Sequence, residues 1–197
     1  MTGSRTPLLF LDVDGPLIPF GAPPPGGYPV HPGPDAAGNP LVDRVDPALG
    51  PRLLALPCEL VWATTWFDEA NECLSPRLGL PQLPVVHWPV ADDGPEGQDG
   101  PDRLGGPDRL GGQGGEPGGL HWKTRALVAH AAGRPFAWVD DEIAPADRRW
   151  VEAHSAAPAL LHRVDPGVGL TGADFALLDA WLRAACPATP RAGDRTG

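Results

Sequence analysis

The chain has 197 residues, which is enough for one domain with a substantial core. Its formal net charge of −10 excludes a global basic surface for nucleic acid, although a local basic groove stays open. The 27 prolines and 26 glycines indicate long irregular segments beside the folded core. Three widely spaced cysteines favour reduced thiols over a disulfide or zinc site, and no apolar run approaches membrane-spanning length, so we expect a cytoplasmic protein.

The first predicted strand is the apolar run at residues 8–11, which leads into Asp12 and Asp14 before a Gly-Pro pair. Side chains alternate along a strand, so both carboxylates point the same way at its carboxyl end, where ligands of open α/β sheets bind. They repel each other unless a cation or a shared proton intervenes, and Mg²⁺ suits such oxygen ligands. A calcium loop is disfavoured because residues 16–20 supply no further oxygens, whereas a plain strand-to-turn exit remains an alternative.

Residues 16–40 are rich in proline and glycine and predict either a flap beside the two acids or a disordered segment. Asp46-Pro47 has the chemistry of a helix start, and leucines at helical spacing follow until Pro57.

A second buried strand is predicted over residues 59–66, where it closes on Thr64 and Thr65. Hydroxyls at such an end can donate to a phosphate oxygen, although threonine is also a common strand residue. A helix over 67–78 and a short edge segment at 83–88 follow.

Residues 91–119 form a low-complexity segment in which Gly-Pro-Asp-Arg-Leu-Gly occurs twice, and we expect a flexible surface insertion there. Order resumes at 120–124 with Lys123, ahead of a predicted helix that Gly133 ends.

The predicted strand at 136–139 has the same pattern as the first strand, because its apolar residues lead directly into two acids, Asp140 and Asp141. The remaining predicted elements are a helix near 146–153, a strand at 159–164, and a last helix that starts with a capping box of Thr171 and Asp174.

The alternation of strands and helices predicts an α/β fold, a three-layer Rossmann-like parallel sheet with helices on both faces. We expect one domain over residues 1–187 and a disordered tail at 188–197. Both insertions are too rich in proline and glycine to form a folded cap domain.

Four motifs, in order, resemble those of the haloacid dehalogenase-like (HAD) phosphohydrolases over about residues 7–185. They are Leu-Phe-Leu-Asp12-Val-Asp14-Gly, Val-Trp-Ala-Thr64, Lys123 ahead of a helix, and Trp-Val-Asp140-Asp141. The Trp-Ala-Thr-x-Trp pattern is similar to that of small actinobacterial-type HAD proteins, some of which domain context links to RNA repair. The resemblance implies a HAD-like fold and a Mg²⁺-dependent phosphatase.

The resemblance also implies roles for individual residues. Asp12 would be the nucleophile that forms an aspartyl-phosphate, and Asp14 would be the general acid and then the general base. Thr64 or Thr65, together with Lys123, would bind the phosphoryl oxygens. The implied Mg²⁺ ligands are Asp12, the backbone carbonyl of Asp14, Asp140 and Asp141.

HAD family members that cleave carbon–halogen bonds lack an acid at the position of Asp14, so the resemblance implies a phosphate ester as the substrate. This substrate could be a small molecule or a nucleic-acid end. A catalytically silent HAD-like binding module is the alternative from another class. Neither a membrane nor an obligate protein partner is expected. Four tryptophans beside the motifs could stack on a nucleobase, but core packing is the favoured interpretation: Trp62, Trp66, Trp122 and Trp138.

Overall fold

A computed structural model describes residues 6–31, 40–88 and 119–186. The predicted insertion lies outside these ranges except for Gly119, and so does the predicted tail. The strands are β1 (Leu8–Leu11), β2 (Glu59–Trp62), β3 (Phe136–Asp140) and β4 (Ala159–Arg163). The α-helices are α1 (Leu49–Leu54), α2 (Ser75–Leu78), α3 (Thr124–Ala131), α4 (Pro145–His154) and α5 (Gly172–Ala185).

The four strands form one parallel sheet in the order β2-β1-β3-β4, which confirms the predicted α/β class. Leu11 pairs with Trp62 on one side and with Val139 on the other, so the three strands end at the same edge. Asp12 continues this register, because its backbone N–H donates to the Val139 carbonyl at 3.1 Å. The sheet therefore brings the acidic ends of β1 and β3 next to each other.

The core is divided by the sheet into two clusters, because alternate side chains of each strand point to opposite faces. Leu9 and Leu11 pack in one cluster with α1, α2 and α5. Leu8 and Phe10 pack in the other with α3 and α4. All of β1 is buried, so the strand that leads into Asp12 is packed on both faces of the sheet.

The predicted helix over 67–78 is confirmed from Ala70 onward, although its first part is a π-helix and only its last part is an α-helix. Turns occupy its beginning, a π-helix spans Ala70–Leu74, and α2 follows. Pro76 has no N–H to give to the carbonyl four residues earlier, and its ring clashes with that carbonyl in a regular α-helix. The wider π turn precedes the proline and avoids this clash. Gly79 ends the helix in the left-handed conformation.

Two other boundaries also differ from the prediction. Strand β2 ends at Trp62, so Thr64 and Thr65 lie in the turn beyond it rather than in the strand. Helix α1 is shorter than expected, and the side chain of Asp46 accepts from the Ala48 N–H at 2.9 Å, one turn before the helix begins.

The described part of the predicted flap, residues 16–31, has no helix or strand but is fixed by contacts. Arg44 donates to the Pro19 carbonyl at 3.3 Å, and its guanidinium lies 5.0 Å from the centre of the Tyr28 ring. The beginning of this segment also contacts the β4–α5 loop, where Leu170 N–H donates to the Pro16 carbonyl at 3.0 Å. The segment is therefore anchored at its base.

Candidate active site

Three buried carboxylates converge at the carboxyl edge of the sheet. Asp12 follows β1, Asp140 ends β3 and Asp141 comes next, and each offers an oxygen within 4.8 Å of the others. Hard divalent cations take oxygen ligands of this kind. The sequence-predicted metal ligands Asp12, Asp140 and Asp141 are thus brought together, whereas the side chain of Asp14 does not belong to this group.

Lys123 lies between two of the acids. Its Nζ is 2.7 Å from Asp12 Oδ2 and 2.8 Å from Asp140 Oδ2, and the residue is 4 % exposed. Burial alone would lower the pKa of this ammonium, but the two carboxylates raise it above its ordinary value, so it stays charged. Lys123 is therefore a buried cation and not a solvated surface charge, although a lone lysine at the start of a helix is usually one.

The position of Lys123 is fixed by Asp147, a carboxylate that the sequence analysis did not single out. Asp147 is fully buried and accepts from the His121 N–H at 2.8 Å, the Thr124 hydroxyl at 2.6 Å and the Ala144 N–H at 2.8 Å. These bonds tie the start of α3 to the start of α4. Its place as the third residue of α4 is the available sequence signal, since acids are favoured there.

Asp140 is held by donors on both of its oxygens. Oδ1 accepts from the Glu142 N–H at 2.9 Å, and Oδ2 accepts from Trp138 Nε1 at 3.2 Å as well as from Lys123. Burial opposes ionisation, but Lys123 and these hydrogen bonds keep the pKa of Asp140 below its ordinary value. Asp140 is therefore an ionised carboxylate with a fixed orientation.

Ionisation is less favourable for the other two acids of the cluster, Asp12 and Asp141. Burial raises the pKa of Asp12 well above its ordinary value, despite the opposing effect of Lys123. Burial and the neighbouring Asp140 charge raise the pKa of Asp141 to about 6. The cluster thus carries more negative charge than one ammonium compensates, which is the electrostatic condition for binding a cation.

Gly15 allows Asp141 to approach the turn after β1. Its φ is +84°, and a Cβ added there would lie 2.8 Å from Asp141 Cγ. No other residue type combines this backbone conformation with so close a contact. The glycine of the first motif is explained by this packing.

Asp14 lies in the same turn, where it is partly exposed. Its Oδ2 accepts from Trp66 Nε1 at 3.0 Å. Burial raises the pKa of Asp14, whereas the bond from Trp66 and the charge of Lys123 lower it. Among the four tryptophans beside the motifs, Trp62 and Trp138 are buried in the core as favoured, whereas Trp66 and Trp122 are only partly buried.

The two threonines that were predicted to bind phosphate lie in the turn after β2. Thr64 is fully buried, and its Oγ1 accepts from the Trp66 N–H at 3.3 Å; Thr65 is partly exposed. Ala63, just before them, donates from its N–H to the Leu11 carbonyl at 2.9 Å, which places this turn beside Asp12. That one of these two hydroxyls donates to a phosphate oxygen stays a prediction.

No family model, curated protein or solved structure matches the chain. Within residues 6–31, 40–88 and 119–186, no helix is both long and apolar enough to cross a membrane.

Proposed function

We propose that the protein is a Mg²⁺-dependent phosphatase of the HAD type that hydrolyses a phosphate monoester through Asp12. The observation that carries the proposal is the buried group of Asp12, Lys123, Asp140 and Asp141 at the carboxyl edge of the sheet. A three-layer arrangement and a site without a folded cap belong to the same proposal.

The residues present fit a divalent cation, because three buried carboxylate oxygens converge with an excess of negative charge. Asp12, Asp140 and Asp141 would hold it, with the backbone carbonyl of Asp14 as a further oxygen. When bound, Mg²⁺ would neutralise these acids and the phosphate charge so that the anionic substrate can approach Asp12.

In the proposed reaction, a carboxylate oxygen of Asp12 attacks phosphorus, and the bond from phosphorus to the leaving oxygen breaks. Asp14 gives its proton to that oxygen, so an alcohol departs and an aspartyl-phosphate remains. Asp14 then takes a proton from water, whose oxygen bonds to phosphorus as the Asp12–phosphorus bond breaks. Lys123 and a threonine hydroxyl stabilise the charge on the phosphoryl oxygens.

Phosphate release from a substrate panel tests the proposal. The panel contains nucleotides, sugar phosphates and oligonucleotides phosphorylated at either end, each measured with Mg²⁺ and with EDTA. Asp12→Asn removes the nucleophile, and Asp68→Asn is the matched control because Asp68 is an exposed acid outside the cluster. We expect Mg²⁺-dependent turnover that only Asp12→Asn abolishes.

Each other outcome of the panel has a distinct meaning. Turnover confined to oligonucleotides would assign the protein to nucleic-acid-end phosphatases. A folded protein that binds Mg²⁺ but turns over no substrate would contradict the proposal and favour the binding module. Turnover that survives Asp12→Asn would exclude the aspartyl-phosphate route.

A further inference from the structure

Trp66 contacts Asp14 across two turns that are far apart in the chain. Its indole Nε1 donates to Asp14 Oδ2 at 3.0 Å, and 52 positions separate the two residues. The turn after β2 is thereby joined to the turn after β1. Nothing in the four motifs assigns this side chain a role in the reaction.

Both partners of this hydrogen bond are held in place by their own surroundings. Asp14 lies in a tight turn in which Leu17 N–H donates to the Val13 carbonyl and Gly15 N–H to the Ile18 carbonyl, each at 3.0 Å. Trp66 donates its backbone N–H to Thr64 Oγ1, and its ring packs against the core cluster that contains Leu11. The indole N–H is therefore a donor in a fixed place.

The chemistry of the donor distinguishes the two oxygens of Asp14. An indole N–H can donate but has no lone pair with which to accept. The carbonyl oxygen of a carboxyl group is a better acceptor than its hydroxyl oxygen. The bond to Oδ2 therefore favours the form of Asp14 that carries its proton on Oδ1. A general acid needs its proton on the oxygen that meets the leaving group.

We infer that Trp66 is a positioning residue, which holds Asp14 through Oδ2 and leaves Oδ1 as the oxygen that exchanges the proton. The inference rests on the proposed phosphatase function. Trp66 touches neither the phosphorus nor Asp12 in this scheme, and acts only through the orientation of Asp14.

The test compares Trp66→Phe with Trp150→Phe. Phenylalanine keeps an aromatic ring on the core and removes the indole N–H. Trp150 is also partly buried, but it lies on α4, where its ring stacks on His154. Circular dichroism checks that both variants fold. The value of kcat/KM is measured for p-nitrophenyl phosphate, whose leaving group departs without a proton, and for a simple alkyl phosphate, whose leaving group needs one.

We expect Trp66→Phe to lower kcat/KM for the alkyl phosphate about tenfold, the effect of losing one hydrogen bond to a charged group. The value for p-nitrophenyl phosphate should change less than about twofold, because that step does not draw on the general acid. Trp150→Phe should leave both values unchanged. If Trp66 had a merely structural role, Trp66→Phe would lower kcat/KM equally for both substrates. That result would overturn the inference, and so would an unchanged kcat/KM for the alkyl phosphate.

A measurement without turnover separates this inference from the proposed function. The indole ¹⁵N–¹H resonance of Trp66 should move when Asp14→Asn is introduced at constant pH, because its acceptor changes. A resonance that stays in place overturns the inference even if Trp66→Phe does not fold. A wild-type protein that releases phosphate from neither of these substrates nor from any member of the panel refutes the proposed function and the positioning role with it. An active wild type with equal losses on the two substrates refutes this inference alone.

Discussion

Replacing Asp141 by asparagine should stabilise the metal-free protein. Asp141 is buried beside Asp140 and Asp12, and a single ammonium compensates this group of acids. Asparagine has nearly the same shape, so it fits against Gly15 while it removes one negative charge. The variant should therefore lose the proposed cation site but gain stability when no cation is present.

The magnitude follows from the pKa of Asp141, which burial and the Asp140 charge raise from an ordinary 3.8 to about 6. A difference of this size corresponds to about 3 kcal/mol at full strength. Solvent screening at the open end of the site reduces it to about 1–2 kcal/mol. Because 1 kcal/mol shifts the melting temperature of a chain this size by about 2–4 °C, we expect a gain of about 2–8 °C.

The sign depends on pH. In the unfolded chain Asp141 releases its proton near pH 4, whereas in the folded protein it keeps the proton until about pH 6. The folded state therefore loses stability as pH rises from 4 to 6, and the loss is complete above that range. Asparagine removes this loss, so the gain should be full at pH 8 and small at pH 4.

Thermal unfolding in EDTA at both pH values measures the effect for the wild type, for Asp141→Asn and for Asp68→Asn. The exposed Asp68 serves as the control for removing a carboxylate elsewhere. Added Mg²⁺ should raise the melting temperature of the wild type and of the control more than that of Asp141→Asn. An Asp141→Asn variant that is no more stable than the wild type at pH 8 in EDTA would refute the electrostatic reasoning.

Three further results are expected. Gly15→Ala should destabilise the protein by about 1–3 kcal/mol and weaken Mg²⁺ binding, because the new Cβ is strained at a positive φ and pushes against Asp141. The control is Gly26→Ala, which strains a similar φ in open space. It should leave the Mg²⁺ affinity measured by calorimetry unchanged. Lys123→Met should lower the unfolding free energy in EDTA at pH 8 by about 3–5 kcal/mol, because it leaves two buried carboxylates without their cation; an unchanged denaturant midpoint would contradict the buried ion pairs. Mg²⁺ affinity should fall as pH drops below about 6, since a proton then competes for Asp141; an affinity that is the same at pH 5 and 8 would exclude Asp141 as a ligand.

The central part of the fold could be predicted because its signals are local. Apolar runs that lead into acids identified β1 and β3, and the capping box identified the start of α5, where Thr171 Oγ1 accepts from the Asp174 N–H at 3.4 Å. Parallel strands bring their carboxyl ends to one edge, so a common edge for Asp12, Asp140 and Asp141 could be predicted, whereas the adjacency of β1 and β3 that brings them into contact could not. The π turn before Pro76 could not be predicted, because its position depends on tertiary packing as well as on the proline.

The contacts that orient the acids could not be read from spacing. Trp66 donates to Asp14, Trp138 donates to Asp140, and Asp147 fixes the start of α3; each partner is chosen by the three-dimensional arrangement. Trp138 is two positions from Asp140, so the alternation of side chains along a strand predicts that both lie on the same face of the sheet. It does not predict the hydrogen bond between them. The sequence indicated the candidate site residues, whereas the structure shows the side chains that hold them in place.

The contact between the base of the flap and the β4–α5 loop joins two segments that are distant in the sequence. Phe20 N–H donates to the Pro166 carbonyl at 2.8 Å, and Gly169 fits so closely that an added Cβ would lie 3.1 Å from the Pro16 carbonyl oxygen. The turn that carries Asp14 is thus supported by a loop that lies far from it in the sequence. Contacts of such long sequence separation form slowly during folding, so the turn gains this support only once the β4–α5 loop has packed against it.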